Sequence, residues 1–346
     1  MLNKTQHSRV DTGSDKGWYL GAEPVGRTSS AAFFRIAKAL SVSLLVIAFL
    51  GSSCKHVDPP ITTTHTITDI ILVNNSFTFL RAALQRTGMT DMLRTGTYTA
   101  FMPTDDAFRG AGYADVAAIN QAPVANLTAL LQYHLVNKRV AAADILAGAS
   151  TAVQTLLATN GLLFVSKTNN YLSANGKPIT IADVAADNGV AHVVGSLLRP
   201  PTTDAISTVV GDPQNFSLLA AAVQRAGTGL VSALQSTSAA TLFAPTNDAF
   251  LASGYTASSI AAATPVSLQR LLSYHILPGR FFIGQFTNAQ TPKTLLGASV
   301  RVNVLGSAVS ITSLGDTTVA VQVSRPDILT TNAVVHAIDR VLIPPP

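Results

Sequence analysis

From residue 66 onward the apolar positions follow two rhythms. The first is helical. Leu130, Leu131 and Leu135 lie three, four and eight positions after Leu127, a spacing that lines one face of a helix and predicts a helix over roughly 124–136. Leu268, Leu271, Leu272 and Ile276 repeat that spacing in the second half of the chain. A further apolar stripe predicts a helix over roughly 77–86. The second rhythm is that of short strands. Tyr98 to Met102 reads as a strand running into a helix start at Thr104. Downstream, 161–165, Tyr171-Leu172 and 179–181 are short apolar runs separated by turn signals, Asn175-Gly176 and Asn188-Gly189 among them. Helices first and strands later is an α+β pattern.

The same order of signals occurs twice. Phe101-Met102-Pro103-Thr104-Asp105-Asp106-Ala107-Phe108 returns as Phe243-Ala244-Pro245-Thr246-Asn247-Asp248-Ala249-Phe250. Leu130-Leu131-Gln132-Tyr133-His134 returns as Leu271-Leu272-Ser273-Tyr274-His275. Each copy closes on a histidine in an apolar run followed by prolines: His192 before Pro200-Pro201, and His336 before Pro344-Pro345-Pro346. The copies lie about 140 positions apart, too far for stacked solenoid repeats, so they are expected to be tandem domains over 66–201 and 203–344.

Upstream, Ala39–Leu50 is an apolar run preceded by Arg35 and Lys38 and followed by Gly51-Ser52-Ser53-Cys54. It is too short to span a bilayer but suits the core of a signal peptide. The arrangement resembles the lipobox of a bacterial lipoprotein. That resemblance implies removal of residues 1–53 and acylation of Cys54, with 54–65, rich in Thr and Pro, as a stiff polar tether.

Three ordered motifs, present in both halves, resemble the fasciclin (FAS1) domain family: the Phe-Ala-Pro-Thr-Asn-x-Ala-Phe segment at 243–250, the Tyr-His pair after paired leucines, and the closing His-x-Ile-Asp-x-Val-Leu-x-Pro run at 336–344. In the first copy Met102 replaces the alanine, and Val194-Gly195 stands where Ile338-Asp339 does, so one polar anchor of the final strand is expected to be missing there. The resemblance implies an α+β fold, each domain a bent β-sandwich with helices packed at one side. It also implies a secreted or surface-attached protein acting in adhesion, without a shared catalytic chemistry.

Composition narrows the field further. Of the formal net charge of +5, the first 53 residues carry +3, and no basic block follows, so no nucleic-acid partner is expected. Glu23 is the only Glu, Trp18 the only Trp and Cys54 the only Cys. Chemistry that needs a Glu is excluded from the folded part, as are an intrachain disulfide and a cysteine-held metal. No nucleophile elbow, phosphate loop or dinucleotide fingerprint is present, and no catalytic residue, metal or cofactor is expected.

Thr104 and Thr246 follow proline and precede a helix, so they are expected to be N-caps, with Asp105, Asp106 and Asp248 at the positive helix end. The family resemblance makes the Tyr-His pair the candidate partner-binding motif: Tyr133, His134, Tyr274 and His275. His134 lies seven residues after Leu127, on the apolar face, so both histidines are expected to point inward as neutral core groups. The tyrosines, one position away at the edge of the stripe, are the better candidates for contact. The expected function is non-catalytic adhesion to matrix, cell-surface or envelope protein or glycan, from a lipid anchor in the cell envelope. The alternatives are a carrier of an apolar small molecule such as a carotenoid, and an unrecognised hydrolase.

Overall fold

The computed structural model describes residues 65–148, 150–168, 171–236 and 239–346. The expected signal segment, Cys54 and all of the tether but its last residue lie outside the described residues. In the first domain α1 (Ile67–Val73) and α2 (Thr78–Thr87) precede β1 (Tyr98–Pro103). Three helices follow, α3 (Asp105–Gly110), α4 (Val116–Gln121) and α5 (Val124–Tyr133). The strands then run β2 (Leu135–Val136), β3 (Ser150–Gln154), β4 (Leu162–Lys167), β5 (Leu172–Ala174), β6 (Lys177–Ala186) and β7 (Gly189–Val194). The second domain follows a similar order, with one more helix before its first strand and one strand fewer: α6 (Ala205–Val210), α7 (Pro213–Ala226), α8 (Thr228–Ser236), β8 (Ala240–Pro245), α9 (Asn247–Ala252), α10 (Ala257–Ala262) and α11 (Pro265–Ser273). It closes with β9 (Ile276–Pro278), β10 (Arg301–Leu305), β11 (Ala308–Thr312), β12 (Ala320–Leu329) and β13 (Ala333–Ile338). Among the described residues no helix is long and apolar enough to cross a membrane.

Each domain holds one continuous sheet, ordered β2-β1-β7-β6-β5-β4-β3 in the first and β10-β11-β12-β13-β8-β9 in the second. The first and last strands of each domain run side by side in parallel, with Phe101 beside His192 and Phe243 beside His336. The other strand pairs are antiparallel.

The central strands β7, β8 and β13 are buried on every residue, and they are accordingly apolar except for His192, Thr241 and His336. On β1 and β7, Ala100, Met102, Ala191 and Val193 pack with Phe79, Leu84 and Leu131 of the helices. Their neighbours Phe101 and Val194 face the opposite way, onto Val153, Leu163 and Val165. The second domain repeats this: Leu242 and Val335 meet Phe216 and Leu272, whereas Phe243 and Ile338 meet Val302 and Ile311. The bend that lets one sheet enclose its own second core lies in β6 and β12, whose registers slip along β7 and β13. Within those slips Asp183 and Asp327 adopt left-handed backbone, φ 56° and 60°, a conformation that Asp tolerates better than most residues.

Two local features differ from or extend the pattern reading. The helix expected to reach residue 136 stops at Tyr133, because Leu135 and Val136 pair with Ala100 and Thr99 as an edge strand. The expected loss of an anchor in the first domain has a partner change. Asp339 accepts the Gln322 amide at 2.7 Å, and register places Gly195 and Pro178 at the corresponding positions. Proline has no N–H, so the first domain lacks the donor as well as the acceptor.

Candidate functional site

The Phe-x-Pro-Thr segment ends a central strand and starts a short helix, and it caps two helices at once. Thr104 and Thr246 accept the amides of Ala107 and Ala249 at 3.3 and 3.2 Å, so both are N-caps. Asp105 does not serve its own helix: its carboxylate accepts from the Thr78 hydroxyl at 2.6 Å and the Phe79 amide at 2.9 Å, at the start of α2. Asn247 does the same for Leu218, at 2.9 Å, where the regular part of α7 begins after the non-helical Phe216.

The Tyr-His pairs sit at the ends of α5 and α11. His134 Nδ1 donates to the Leu130 carbonyl at 2.8 Å, and its Nε2 accepts the Leu198 amide at 3.0 Å. His275 makes the same two bonds, to Leu271 at 2.8 Å and from Leu342 at 2.9 Å. An amide can only donate, so the ring proton is on Nδ1 in both and the rings are neutral. Burial pulls both down to about 4. Each histidine thus staples a helix end to the segment that leaves the last strand.

The tyrosines are corrected by the structure. Tyr133 and Tyr274 are each 0% exposed, not at the surface edge of the stripe. The helix ends at this point and the curled sheet encloses its end. The Tyr133 hydroxyl donates to Leu162 O at 2.9 Å and accepts from Asn175 Nδ2 at 2.8 Å. Tyr274 donates to Ser299 O at 2.8 Å and accepts the Leu314 amide at 2.9 Å. Burial pushes Tyr133 up to about 12, and raises Tyr274 as well. All four candidate contact residues are therefore interior. Tyr274→Phe should strand the Ser299 carbonyl and the Leu314 amide and lower the stability of the second domain by about 2 kcal/mol in urea unfolding. A change within measurement error would show that neither group needs the hydroxyl.

A second histidine pair uses the opposite tautomer. His192 Nε2 donates to Val140 O and His336 Nε2 to Phe281 O, both at 2.9 Å. Their Nδ1 atoms accept the bulge amides of Asp183 at 3.2 Å and Asp327 at 3.1 Å. Burial pulls His336 down to about 4 and lowers His192 too. In all four histidines both ring nitrogens are committed to backbone groups, so none has a lone pair free for a proton or a metal. Among the described residues no group of three His, Cys, Asp or Glu is placed to hold a metal ion.

Sequence reasoning missed the bulge aspartates and Arg280, whose roles depend on strand register and domain contact. Asp183 is exposed and accepts the Ala142 amide at 2.9 Å. Asp327 is buried, accepts the Ile283 amide at 2.8 Å and stands 3.9 Å from His336 Nδ1. Burial pushes its carboxyl up to about 6, against the pull of Lys177. A carboxyl raised in the folded state adds stability at low pH that is lost as pH rises through about 6. Asp327→Asn keeps an acceptor for Ile283 without that loss. It should stabilise the protein by about 2–3 kcal/mol at pH 8 and by almost nothing at pH 4. An equal effect at both values would exclude titration of Asp327 as the cause.

The two domains meet around Asp327. Ser150 Oγ donates to Gln285 Oε1 at 3.0 Å, and Phe164 lies 6.3 Å from Phe282. Beside this contact a cleft of about 430 Å³ runs between β3 and β4 on one side and residues 280–285 on the other. A wider apolar groove of about 690 Å³, lined by Ile206, Val210, Val223 and Val231 among others, lies among α6, α7 and α8.

Comparison with known proteins bears on these features. The family model of the fasciclin domain matches twice, at residues 75–200 and 214–344. Transforming growth factor-beta-induced protein ig-h3 from Sus scrofa is 34% identical over 39% of this chain and 19% of its own length. The same protein from Oryctolagus cuniculus is 27% identical over 73% of this chain and 36% of its length. The chain thus spans well under half of these relatives. Protein sll1483 of Synechocystis sp. is 32% identical over 39% of this chain and 74% of its own length. The solved FAS1 domain pair of the insect cell adhesion molecule Fasciclin I matches with 18% identity and a TM-score of 0.36, covering 77% of this chain and 95% of that one.

Proposed function

The chain belongs to the fasciclin domain family, and on that premise we propose that it is a non-catalytic adhesion protein held at the cell envelope through an acylated Cys54. The observation that carries this reading is the commitment of the repeated motifs to the scaffold. The Thr caps, both Tyr-His pairs and both bulge histidines bind backbone groups of their own domain, so what the two domains share is a rigid surface. Partners are matrix, cell-surface or envelope proteins or glycans, engaged by exposed loops. Cells carrying the full chain should adhere to matrix-coated plates, and the Cys54→Ser variant should release the protein and lose that adhesion. Mass spectrometry of the N-terminus should find acyl chains on Cys54; an unmodified thiol refutes the anchor, and equal adhesion with and without the chain refutes the function. The groove among α6, α7 and α8 favours a second reading, carriage of an apolar small molecule. A visible absorption band copurifying with the chain would establish that reading in place of pure adhesion.

A further inference from the structure

The repeat supplies an internal reference for every side chain, and one pair breaks the symmetry. Thr99 donates to Lys138 O and accepts the Val140 amide; Thr241 donates to Gly279 O and accepts the Phe281 amide. These matched bonds make Arg139 and Arg280 the same position in the two domains. Arg139 is exposed, and its guanidinium donates to Gly189 O, at the start of β7, at 2.7 Å. Arg280 has left that arrangement. Its one hydrogen bond in the described structure, to Thr331 O, is stretched to 3.4 Å. Its guanidinium lies over the ring of Phe164 in the other domain, 4.1 Å from the centroid. Its Nε is buried with no hydrogen-bond partner, and among the described residues no carboxylate pairs with it.

An Arg held half-buried, its Nε cut off from water and without an acid partner, is a cost that folding does not need. Burial also pulls its proton affinity down, which an adjacent anion would reverse. The space in front of it has the form of a small-molecule site. The cleft of about 430 Å³ has apolar walls, Phe164 and Phe281, and polar points at Ser150, Gln285 and Thr331. A guanidinium is a planar fork of N–H groups, the geometry that grips a carboxylate with two bonds.

We propose that the cleft between the two domains binds a small organic carboxylate, its acid group on Arg280 and its apolar or ring-shaped body against Phe164 and Phe281. The ligand would touch both domains at once and clamp them. This site is independent of the adhesion reading and stands or falls without it.

The test is calorimetric titration of the full chain with 2-naphthoate, with 2-naphthamide as the uncharged isostere and inorganic phosphate as an anion without an apolar body. Naphthoate should bind with a Kd near or below about 1 mM, and the amide and phosphate about tenfold more weakly or worse. Arg280→Gln should lose about tenfold or more in naphthoate affinity, whereas Arg139→Gln, at the matching position of the first domain, should leave it unchanged. Thermal melting provides a readout that needs no ligand: Arg280→Gln should melt at or above the parent, because a half-buried cation without an acid partner has been removed. No binding of naphthoate, equal binding of its amide, unchanged affinity in Arg280→Gln, or a melting point of that variant well below the parent would each overturn the proposal.

Discussion

His275→Ala should lower the stability of the second domain by about 4 kcal/mol, near the top of the range for a single substitution. The imidazole is 0% exposed and answers two backbone groups, Leu271 O and the Leu342 amide. Alanine leaves both buried and unanswered, each at about 1–3 kcal/mol, and adds a cavity the size of the ring. The pH dependence carries the same signature. His275 and His336 titrate near 4 in the folded domain, far below the ordinary 6.5 of an unfolded chain. Below that ordinary value the unfolded state binds protons that the folded state refuses, so stability falls as pH drops from about 6.5 to about 4. Each histidine contributes a loss of about 3 kcal/mol over that window. Asp327 runs the other way and returns about 3 kcal/mol as it takes up its proton. The second domain should therefore lose a net of about 3 kcal/mol, and His275→Ala should lose about 3 kcal/mol less than the parent over the same window. Urea unfolding followed by far-ultraviolet circular dichroism at pH 7.5 and pH 4.5 measures both effects; a flat parent profile would contradict the neutral, buried assignment.

Gly189→Ala should be at least as damaging, and only to the first domain. Gly189 opens β7 opposite Tyr98, with φ +152°. A Cβ there would stand 1.9 Å from the Tyr98 carbonyl oxygen and 2.9 Å from its carbon, and backbone atoms cannot swing aside as a side chain can. The parallel pair must open, removing ladder bonds at the centre of the sheet, and the expected loss exceeds about 4 kcal/mol. The matching register position in the second domain is Ala333, opposite Ala240, so that domain already accepts a methyl group and should be untouched. Two-step melting of the variant should show the first domain's transition displaced and the second's in place. Displacement of both would mean that the domains unfold as one unit.

How much of this could be read in advance depends on the range of the interaction. Local chemistry was legible: Thr104 and Thr246 cap helices as the Pro-Thr spacing suggests, because an N-cap involves residues three apart. The inward face of His134 and His275 follows from helical spacing alone. The end of α5 was not legible, since Leu135-Val136 continues the apolar stripe and only pairing with Thr99 and Ala100 makes it a strand. The burial of Tyr133 and Tyr274 was not legible for the same reason: the sheet that encloses them includes residues 42 and 40 positions downstream. Asp327 and Arg280 carried no signal at all. One acts through a register slip, the other through a contact between domains, and neither has a local pattern.

The parallel pairing of first and last strands also sets a timetable for synthesis. While the chain emerges from the ribosome, β1 and then β8 must wait for strands about ninety residues behind them before their sheets can close. The apolar helices are synthesised before the closing strands and have no completed sheet to cover until then, an interval in which association with other chains is a hazard. The first domain can finish before the second has begun its sheet, which limits the hazard to one domain at a time. A stop codon shortly before Ala333 would remove only a small fraction of the chain, yet it would take away the strand that joins β12 to β8 and leave the second sheet in two pieces.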